Sequence, residues 1–454
     1  MSEITMENLV SFCKKRGFVF QGSEIYGGLK GTYDMGPLGI ELKKNIRESW
    51  WRAMVYERDD IEGLEASLLS HRLVWKYSGH EDTFSDPLVE CKICHARMRQ
   101  DKMKDPTKCD NCGSHDLTPP RNFMLMMKTN IGPVDDDSSF AYLRAETAQG
   151  TYLNFKNVLD ATSRKLPFGI AQHGKSFRNE ITPRNFLFRQ REFEQAEMQF
   201  FVRPGEDEKW YKEWKAIRLG WWQKQGLKLE NLRYKEHETL AHYAKAAVDI
   251  EYKFPWGFDE IEGIHNRQDF DLGSHTKNQS EYNIKAKVKK NLDSTTKLDY
   301  FDDTTKEDFI PFVVETAAGL DRAMIAIMCE AYDEETLPNG SKRTVLHLKK
   351  HLAPIKVAII PLKKNNEQIM AKCHEIKQNL LKLGIGRVAL ENTGNIGKAY
   401  RRHDEVGTPL CITVDFETIE QQPESVTIRD RDTMEQHRVN VADLPGYLRD
   451  YFAR

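Results

Sequence analysis

Gly174-Lys-Ser-Phe-Arg-Asn-Glu180, followed by Arg189-Gln-Arg-Glu-Phe-Glu-Gln-Ala-Glu197, decides the fold of this 454-residue chain. The two stretches flank a proline-containing loop, Ile181 to Phe188, and read as a pair of antiparallel strands. Side chains in a strand alternate between faces with a period of two. Ser176, Arg178 and Glu180 therefore share one face, and so do Arg189, Arg191, Phe193, Gln195 and Glu197. One surface gathers three arginines, an aromatic ring and two carboxylates. A face that needs only to be buried has no use for such a set. A nucleotide uses every part of it: guanidinium forks for phosphate, a ring on which a base stacks, and carboxylates for amino groups. The competing reading is a solvated charged hairpin.

The flanking pattern supplies the rest of a core. Leu38, Leu42, Ile46, Trp50 and Met54 recur every four residues after Pro37, which predicts an amphipathic helix with a proline at its start. Glu315-Thr-Ala-Ala-Gly-Leu-Asp-Arg322, then Ala323 to Ala331, predicts strand, turn and buried helix, with Ala317, Ala318 and Gly319 small enough for close backbone approach. Asn122 to Lys128 reads as a buried strand. The charged stretch from about Asp207 to Lys306 mixes helical and strand patterns. A new alternation of strands and helices begins near Leu352: Lys356–Pro361, a helix through Ile369, Cys373, Ile376 and Leu380, then Arg387–Leu390, Ile396–Glu405 and Pro409–Val414. It predicts a separate small α/β domain.

At 39% hydrophobic and 30% charged residues, the composition is that of a soluble globular protein. No apolar run approaches the ~18 residues of a membrane helix. Met1 to Phe20 has no apolar region followed by a cleavage site, so the cytoplasm is the expected location. The net charge of −2 gives no general attraction to nucleic acid, and any such contact must rest on local patches. Two of the cysteine pairs are spaced as ligands. Cys91-Lys-Ile-Cys94 and Cys109-Asp-Asn-Cys112 form two knuckles able to hold structural zinc in a closed tetrahedral thiolate site. His95 and His115 lie close enough in sequence to replace one ligand. The scattered Cys13, Cys329, Cys373 and Cys411 argue for reduced thiols. Gly394-Asn-Ile-Gly-Lys398 lacks the glycine spacing and the Ser/Thr of a phosphate-binding P-loop.

Phe177-Arg178-Asn179-Glu180 with Arg191-Glu192-Phe193 resembles motif 2 of the class II aminoacyl-tRNA synthetases. Arg144-Ala-Glu-Thr-Ala-Gln-Gly150, Gly36-Pro-Leu-Gly39 and Asp269-Phe-Asp-Leu-Gly-Ser-His275 narrow the resemblance to dimeric glycyl-tRNA synthetases. It implies an α+β architecture. A class II antiparallel sheet core would span 1–63, with motif 1, and 121–345, with motifs 2 and 3 and an inserted subdomain at about 207–306. A zinc-binding insertion would occupy 64–120 and an α/β anticodon-binding domain 350–454. The helix after Pro37 would be motif 1 at the interface of a homodimer. The implied substrates are glycine, ATP and tRNA(Gly), with Mg²⁺ bridging ATP phosphates, and no membrane partner.

Residue by residue, the resemblance makes Arg178 the arginine on the ATP α-phosphate and the amino-acid carboxylate. Arg322 would be the motif 3 arginine, Arg189 a phosphate-side contact, Phe193 the ring under adenine and Glu180 the carboxylate near its amino group. Glu146, Glu197 and Glu315 match the three glutamates around the glycine pocket, joined by Arg267. The family's usual serine two residues after Glu315 is here Ala317. Glu262 and Glu315 are the candidate magnesium and ATP-side carboxylates, although their charged stretch equally suits a solvated loop. Lys398, Arg401 and Arg402 with Tyr400 form a basic–aromatic cluster where the anticodon would lie; a solvated helix face is the alternative. Two rivals stay open: a synthetase for proline, threonine or histidine, and a non-catalytic relative that binds nucleic acid. The three glutamates oppose the first, and the presence of both Arg178 and Arg322 opposes the second.

Overall fold

A computed structural model describes residues 4–133, 139–241 and 243–453. The chain opens with α1 (Met6–Arg16), α2 (Pro37–Trp51) and β1 (Ile61–Gly63). It then leaves the core to build a small sheet from β2 (Ser85–Glu90), β3 (Arg97–Arg99) and β4 (Arg121–Met124). It returns through α3 (Ala148–Leu153), β5 (Phe168–Phe177), β6 (Glu192–Val202) and α4 (Asp207–Lys224). Next come β7 (Leu232–Glu236), β8 (Ala246–Phe254), β9 (Gly257–Gln268), α5 (Phe270–His275), β10 (Phe312–Gly319) and α6 (Leu320–Ala331). The hairpin β11 (Tyr332–Thr336) and β12 (Lys342–Leu346) leads to the last domain. That domain is β13 (Val357–Pro361), α7 (Glu367–Leu381), β14 (Val388–Leu390), α8 (Ile396–Glu405), β15 (Leu410–Val414), β16 (Ser425–Asp430), β17 (Gln436–Asn440) and α9 (Leu444–Ala453).

The core sheet has the order β7-β8-β9-β10-β6-β5-β1, antiparallel except where β1 joins β5. The decisive hairpin forms as its alternation requires. Ser176 faces Phe193, Gly174 faces Gln195 and Gln172 faces Glu197. Regular pairing ends at Phe177 and Glu192, and Arg178 N–H then donates to the Arg191 carbonyl at 2.8 Å. The connecting loop is therefore longer than Ile181–Phe188, and Arg178, Glu180, Arg189 and Arg191 stand at its base.

Two expected boundaries move. The stretch 207–306 is no separate subdomain: its first part is α4 and the three strands β7, β8 and β9, which complete the main sheet. The expected buried strand 122–128 is broken at Leu125, whose carbonyl accepts the Asn179 N–H at 2.7 Å, and β4 belongs to the insertion's sheet.

One face of the sheet is covered by helices. Trp214 and Trp222 of α4, Met324 and Ile327 of α6 and Leu42, Ile46 and Trp50 of α2 join Met198, Phe200, Val314 and Ile264 in one core. The apolar stripe of α2 thus finds its partner, α6, within the same chain. Gly39 permits the start of α2 to pack, since a Cβ there would stand 1.8 Å from the Phe18 carbonyl oxygen. The same helix carries buried charge. Lys43 Nζ lies 2.7 Å from Asp321 and 3.0 Å from Glu194, and Arg47 clamps Glu194 at 2.8 and 2.9 Å. These pairs tie α2 to β6 and to the start of α6.

The last domain has its own core and a sheet ordered β14-β13-β15-β16-β17, parallel over the first three strands. It meets the rest of the chain through polar contacts. Asn45 donates to the Leu352 and Ala353 carbonyls, both at 3.0 Å, and buried Arg343 spans Glu335 at 2.7 Å and Asp404 at 2.9 Å.

Glu262 is corrected by the backbone. Opposite Ile250 and Glu251, β9 pairs through Glu262 and Glu260, which leaves Ile261 as an extra, bulged residue. A bulge breaks the two-residue alternation. Glu262 accordingly turns into the helix-covered face, fully buried, and accepts from Arg218 Nε and Trp222 Nε1, each at 2.6 Å. It cannot reach a ligand on the open face. Glu260 faces that side instead, 2.9 Å from Arg322 Nη1. Glu262→Ala should strand the buried Arg218 charge and cost about 3–5 kcal/mol of stability, leaving ATP affinity intact in the folded fraction. Glu260→Ala should change stability by about 1 kcal/mol or less and weaken ATP binding. Chemical denaturation and ATP titration of the two variants separate these outcomes.

Candidate active site

The open face of the sheet is a grid set by register. Glu197 of β6, Ala317 of β10, Gly263 of β9 and Asp249 of β8 form one row. Gln199, Glu315 and His265 form the next. Small residues, Ala317 and Gly263, stand in the middle of the grid, with the His265 ring against Gly263 and charged residues around them. The turn before α3 adds Glu146 and Thr147 from the side, and the first turn of α3 adds Gln149.

The three glutamates expected around one pocket do converge, and each is held differently. Glu315 accepts from Arg267 Nη1 at 2.6 Å. Burial pushes its carboxyl up, but the Arg267 charge and His265 outweigh it and bring the value to about 2. Glu146 is buried too, yet His80 at 3.3 Å, Arg267 and a 3.0 Å bond from Gln149 hold its carboxyl well below the usual range. Glu197 goes the other way: burial and the like charges of Glu315 and Glu146 push it up to about 8. It accepts from the Thr147 hydroxyl and, at 2.7 Å, from Gln195. Arg267 is the counter-ion at the centre. It is buried, forks onto Asp271 at 2.6 and 2.8 Å and lies 3.9 Å from the Tyr243 ring centroid.

Arg178 stands beside this pocket with its guanidinium between two rings, 5.2 Å from the Phe193 centroid and 5.3 Å from Phe84. Its Nε donates to the Ala145 carbonyl at 3.1 Å, and among the described residues no carboxylate forms an ion pair with it. An arginine placed so is ready for an anion. Arg322 rests on the Phe188 ring at 4.2 Å and donates to the Phe188 carbonyl at 3.2 Å and the Glu260 carbonyl at 3.0 Å. Glu260 feels both arginines: against the upward push of its surroundings, Arg322 and then Arg178 lower its carboxyl. Glu180 and Arg189 pair with each other at 2.8 Å. Arg191 is spent on backbone, donating to the Lys30 carbonyl at 2.7 Å and to that of Glu180. Of the hairpin's three arginines, Arg191 is bound to backbone and Arg189 to Glu180, and Arg178 alone has no carboxylate partner among the described residues.

The cysteine knuckles match one another turn for turn. His95 N–H donates to the Cys91 carbonyl and Gly113 N–H to the Cys109 carbonyl, both at 2.8 Å, and both residues have left-handed φ. The Cys91–Cys112 and Cys94–Cys109 sulfurs are each 3.6 Å apart, and all four lie within 4.8 Å of one another. Tetrahedral zinc with ~2.3 Å bonds sets sulfurs ~3.8 Å apart, so the set fits that ion. The left-handed knuckle position turns the His95 ring outward, 78% exposed, and His115 Nδ1 is 3.0 Å from the Thr107 carbonyl oxygen. Neither histidine replaces a cysteine.

Beside the knuckles, a cleft of about 400 Å³ lies between Arg97, Arg99 and Lys102 of the insertion and Arg184 and Arg189 of the hairpin loop. In the last domain, Lys398, Arg401 and Arg402 line a second cleft, of about 460 Å³, with Arg16 of α1. The aromatic half of that cluster is corrected: Tyr400 bonds Thr413 at 2.6 Å and lies under Arg429 at 4.8 Å, so its ring is packed inward. Asn395 caps α8 by accepting the Lys398 N–H at 2.9 Å, which accounts for the glycine-rich turn without a phosphate.

The sequence reading missed His80, Gln149, Glu260, His265 and Asp271. Gln149 and Asp271 lie inside motifs quoted for the resemblance. Glu260 was hidden by the bulge. His80 and His265 carry no sequence signal, because only the fold brings them to Glu146 and Glu315.

Comparison with known proteins agrees with this geometry. Residues 130–332 match the tRNA synthetase class II core domain (G, H, P, S and T), and residues 356–451 match the anticodon binding domain. Glycine–tRNA ligases from Thermus thermophilus and Deinococcus radiodurans are 53% and 51% identical, each over 99% of both chains. That of Borreliella burgdorferi is 48% identical over 98% of this chain and 97% of its own. A core sheet of class II form, arginines on its open face and full-length identity near one half lead to one assignment: the chain belongs to the glycine–tRNA ligase family of class II aminoacyl-tRNA synthetases.

Proposed function

We propose that the protein activates glycine with ATP to glycyl-adenylate and transfers glycine to the 3′ end of tRNA(Gly). The observation that carries this reading is Arg178: a guanidinium without an ion-pair partner among the described residues, beside a pocket of three glutamates. Glycine's carboxylate attacks the α-phosphorus in line, the bond to pyrophosphate breaks, and negative charge builds on the phosphoryl oxygens. A fixed arginine there stabilises the transition state more than the ground state. Arg322 faces the phosphate end, and Phe193 offers a surface to adenine. The pocket glutamates receive the ammonium. With a floor of Ala317 and Gly263, walls of buried carboxylates leave no room for a larger side chain. In the second step the terminal ribose hydroxyl attacks the adenylate carbonyl and AMP leaves. No side-chain nucleophile takes part; catalysis is positioning and electrostatics.

Magnesium suits few carboxylates together with phosphate and water. Glu260, 42% exposed at the mouth of the site, fits that description, whereas Glu315 is enclosed and bound to Arg267. The ion would neutralise phosphate charge. Zinc in the four-cysteine site would be structural, since four thiolates leave no open position. The basic cleft between the knuckles and the hairpin loop suits the acceptor end of tRNA, and the α8 cations suit phosphates of the anticodon arm. Ile25, Tyr26 and Leu29 are 87%, 88% and 54% exposed, and Ile40 on α2 is 46% exposed. This apolar surface supports a homodimer built around α2. Among the described residues no helix is long and apolar enough to cross a membrane, and the cytoplasm, where tRNA is charged, remains the proposed location.

Amino-acid-dependent ATP–pyrophosphate exchange, run without tRNA across all twenty amino acids, tests the reading; exchange with glycine alone is expected, and exchange with another amino acid instead would overturn it. Arg178→Ala should lower the glycine-dependent rate at least ~10³-fold while the protein stays folded by circular dichroism. Replacing Cys91 and Cys94 by Ser should remove one zinc per chain, measured by elemental analysis. Glu197 also makes a pH prediction. With its carboxyl raised to about 8, it is protonated in the free protein at pH 7, and glycine's ammonium favours the carboxylate. Glycine binding at pH 7 should therefore release protons. Calorimetry in buffers of different ionisation enthalpy should show the release, with less of it as the pH rises above 8, and Glu197→Gln should abolish it.

A further inference from the structure

The pocket carboxylates so far described each have a hydrogen-bond partner: Glu146 has Gln149, Glu197 has Thr147 and Gln195, Glu315 and Asp271 have Arg267. His265 is different. Its Nδ1 is buried and makes no hydrogen bond. Glu315 Oε2 lies 3.5 Å away, near enough for the imidazole to lower the Glu315 carboxyl yet beyond the usual range for an N–H···O bond. The charges of Asp249 and Glu260 also act on this ring, and the rings of His237 and Tyr243 stand edge-on to it at 6.3 and 6.2 Å. A buried polar atom left unpaired is costly, and at a functional site the unpaired atom is often one that the ligand satisfies.

Register says where the atom lies. His265 pairs with Glu315, and Gly263 pairs with Ala317. The imidazole leans back along the strand over Gly263: a Cβ at 263 would meet its Cε1 at 2.7 Å, Nε2 at 3.2 Å and Nδ1 at 3.6 Å. The ring thus covers the floor beside Ala317, where the pocket otherwise has only backbone and a methyl group. Gly263 is required for this, since any side chain there would push the ring out.

We infer that His265 is a further positioning residue for the amino acid: its Nδ1 accepts a hydrogen bond from the glycine ammonium, next to Glu315, and its ring closes the pocket floor beside Ala317. In the tautomer protonated on Nε2, Nδ1 is an acceptor, and an ammonium offers three donors for Glu315, Glu197 and His265 together. The contact is the one a hydroxyl at position 317 would make from the neighbouring strand. This rests on the glycine-activating reading above.

The test is tRNA-free ATP–pyrophosphate exchange with wild-type protein, His265→Ala, His265→Phe and the double variant His265→Ala/Ala317→Ser. Thermal melting accompanies each. Loss of a hydrogen bond to a charged group should raise KM for glycine at least ~10-fold, with kcat and the KM for ATP little changed. His265→Phe keeps a ring on the floor and should show the same rise even where the alanine variant folds poorly. Serine at 317 should recover most of the loss. An unchanged glycine KM in both single variants, a fall in kcat alone, or no recovery by serine overturns the role. Absence of glycine exchange by the wild-type protein would instead count against glycine activation itself.

Discussion

Arg267 is the residue on which the site depends. Glu146, Glu197, Glu315 and Asp271 gather in one enclosed pocket, and like charges so placed cannot all ionise without compensation. Arg267 supplies it from the centre, forked onto Asp271 and bonded to Glu315. It cannot lose its charge in a protein. His80 Nε2 stands 3.3 Å from Glu146 at the edge. The remaining imbalance falls on Glu197, whose carboxyl rises. The empty pocket therefore holds more carboxylates than cations, and an ammonium group reduces the excess. That physical deficit, more than any shape, is what suits the pocket to a small amino acid.

The same logic is used with the opposite result behind the sheet. Lys43, Arg47, Glu194 and Asp321 form a charge-balanced set, and Arg218 is balanced by Glu262, which also accepts from Trp222. These pairs fix α2, α4 and α6 against the sheet whose strands carry Glu197 and Glu315, and α6 itself carries Arg322. The sheet is thus loaded with charge on both faces, balanced on the covered one and unbalanced on the open one. A substitution on the covered face acts through stability, whereas one on the open face acts through binding.

Much of this was legible in the sequence where local chemistry is strong. The alternation in Gly174–Glu197 placed Ser176, Phe193 and Glu197 on one face, because a period of two survives in any regular strand, and Arg178 follows just past the strand's end. The two knuckles were readable from spacing alone, since ligand geometry and turn geometry are both local. The helix after Pro37 and the strand–helix alternation from Lys356 to Val414 emerged with nearly their expected bounds, each carrying a clear apolar period. The resemblance supplied the roles that spacing could not, and it placed Glu146 and Arg267 beside Glu315 although they lie 169 and 48 residues from it along the chain.

Tertiary structure decided what depends on a single backbone irregularity or on long-range contact. The bulge at Ile261 reversed Glu260 and Glu262, because one extra residue flips every side chain that follows it. Arg191 was lost to backbone carbonyls and Tyr400 to the interior, since an alternation pattern says which way a side chain points but not what it meets. Whether 207–268 forms its own unit was settled by strand pairing with β10, which no local pattern encodes. His80 and His265 became pocket residues only through folding. By itself, the sequence determined the strands, the cysteine knuckles and the family's chemistry, all governed by neighbours in the chain; the pairing of strands determined which charges remain uncompensated, because that balance exists only between residues far apart in sequence.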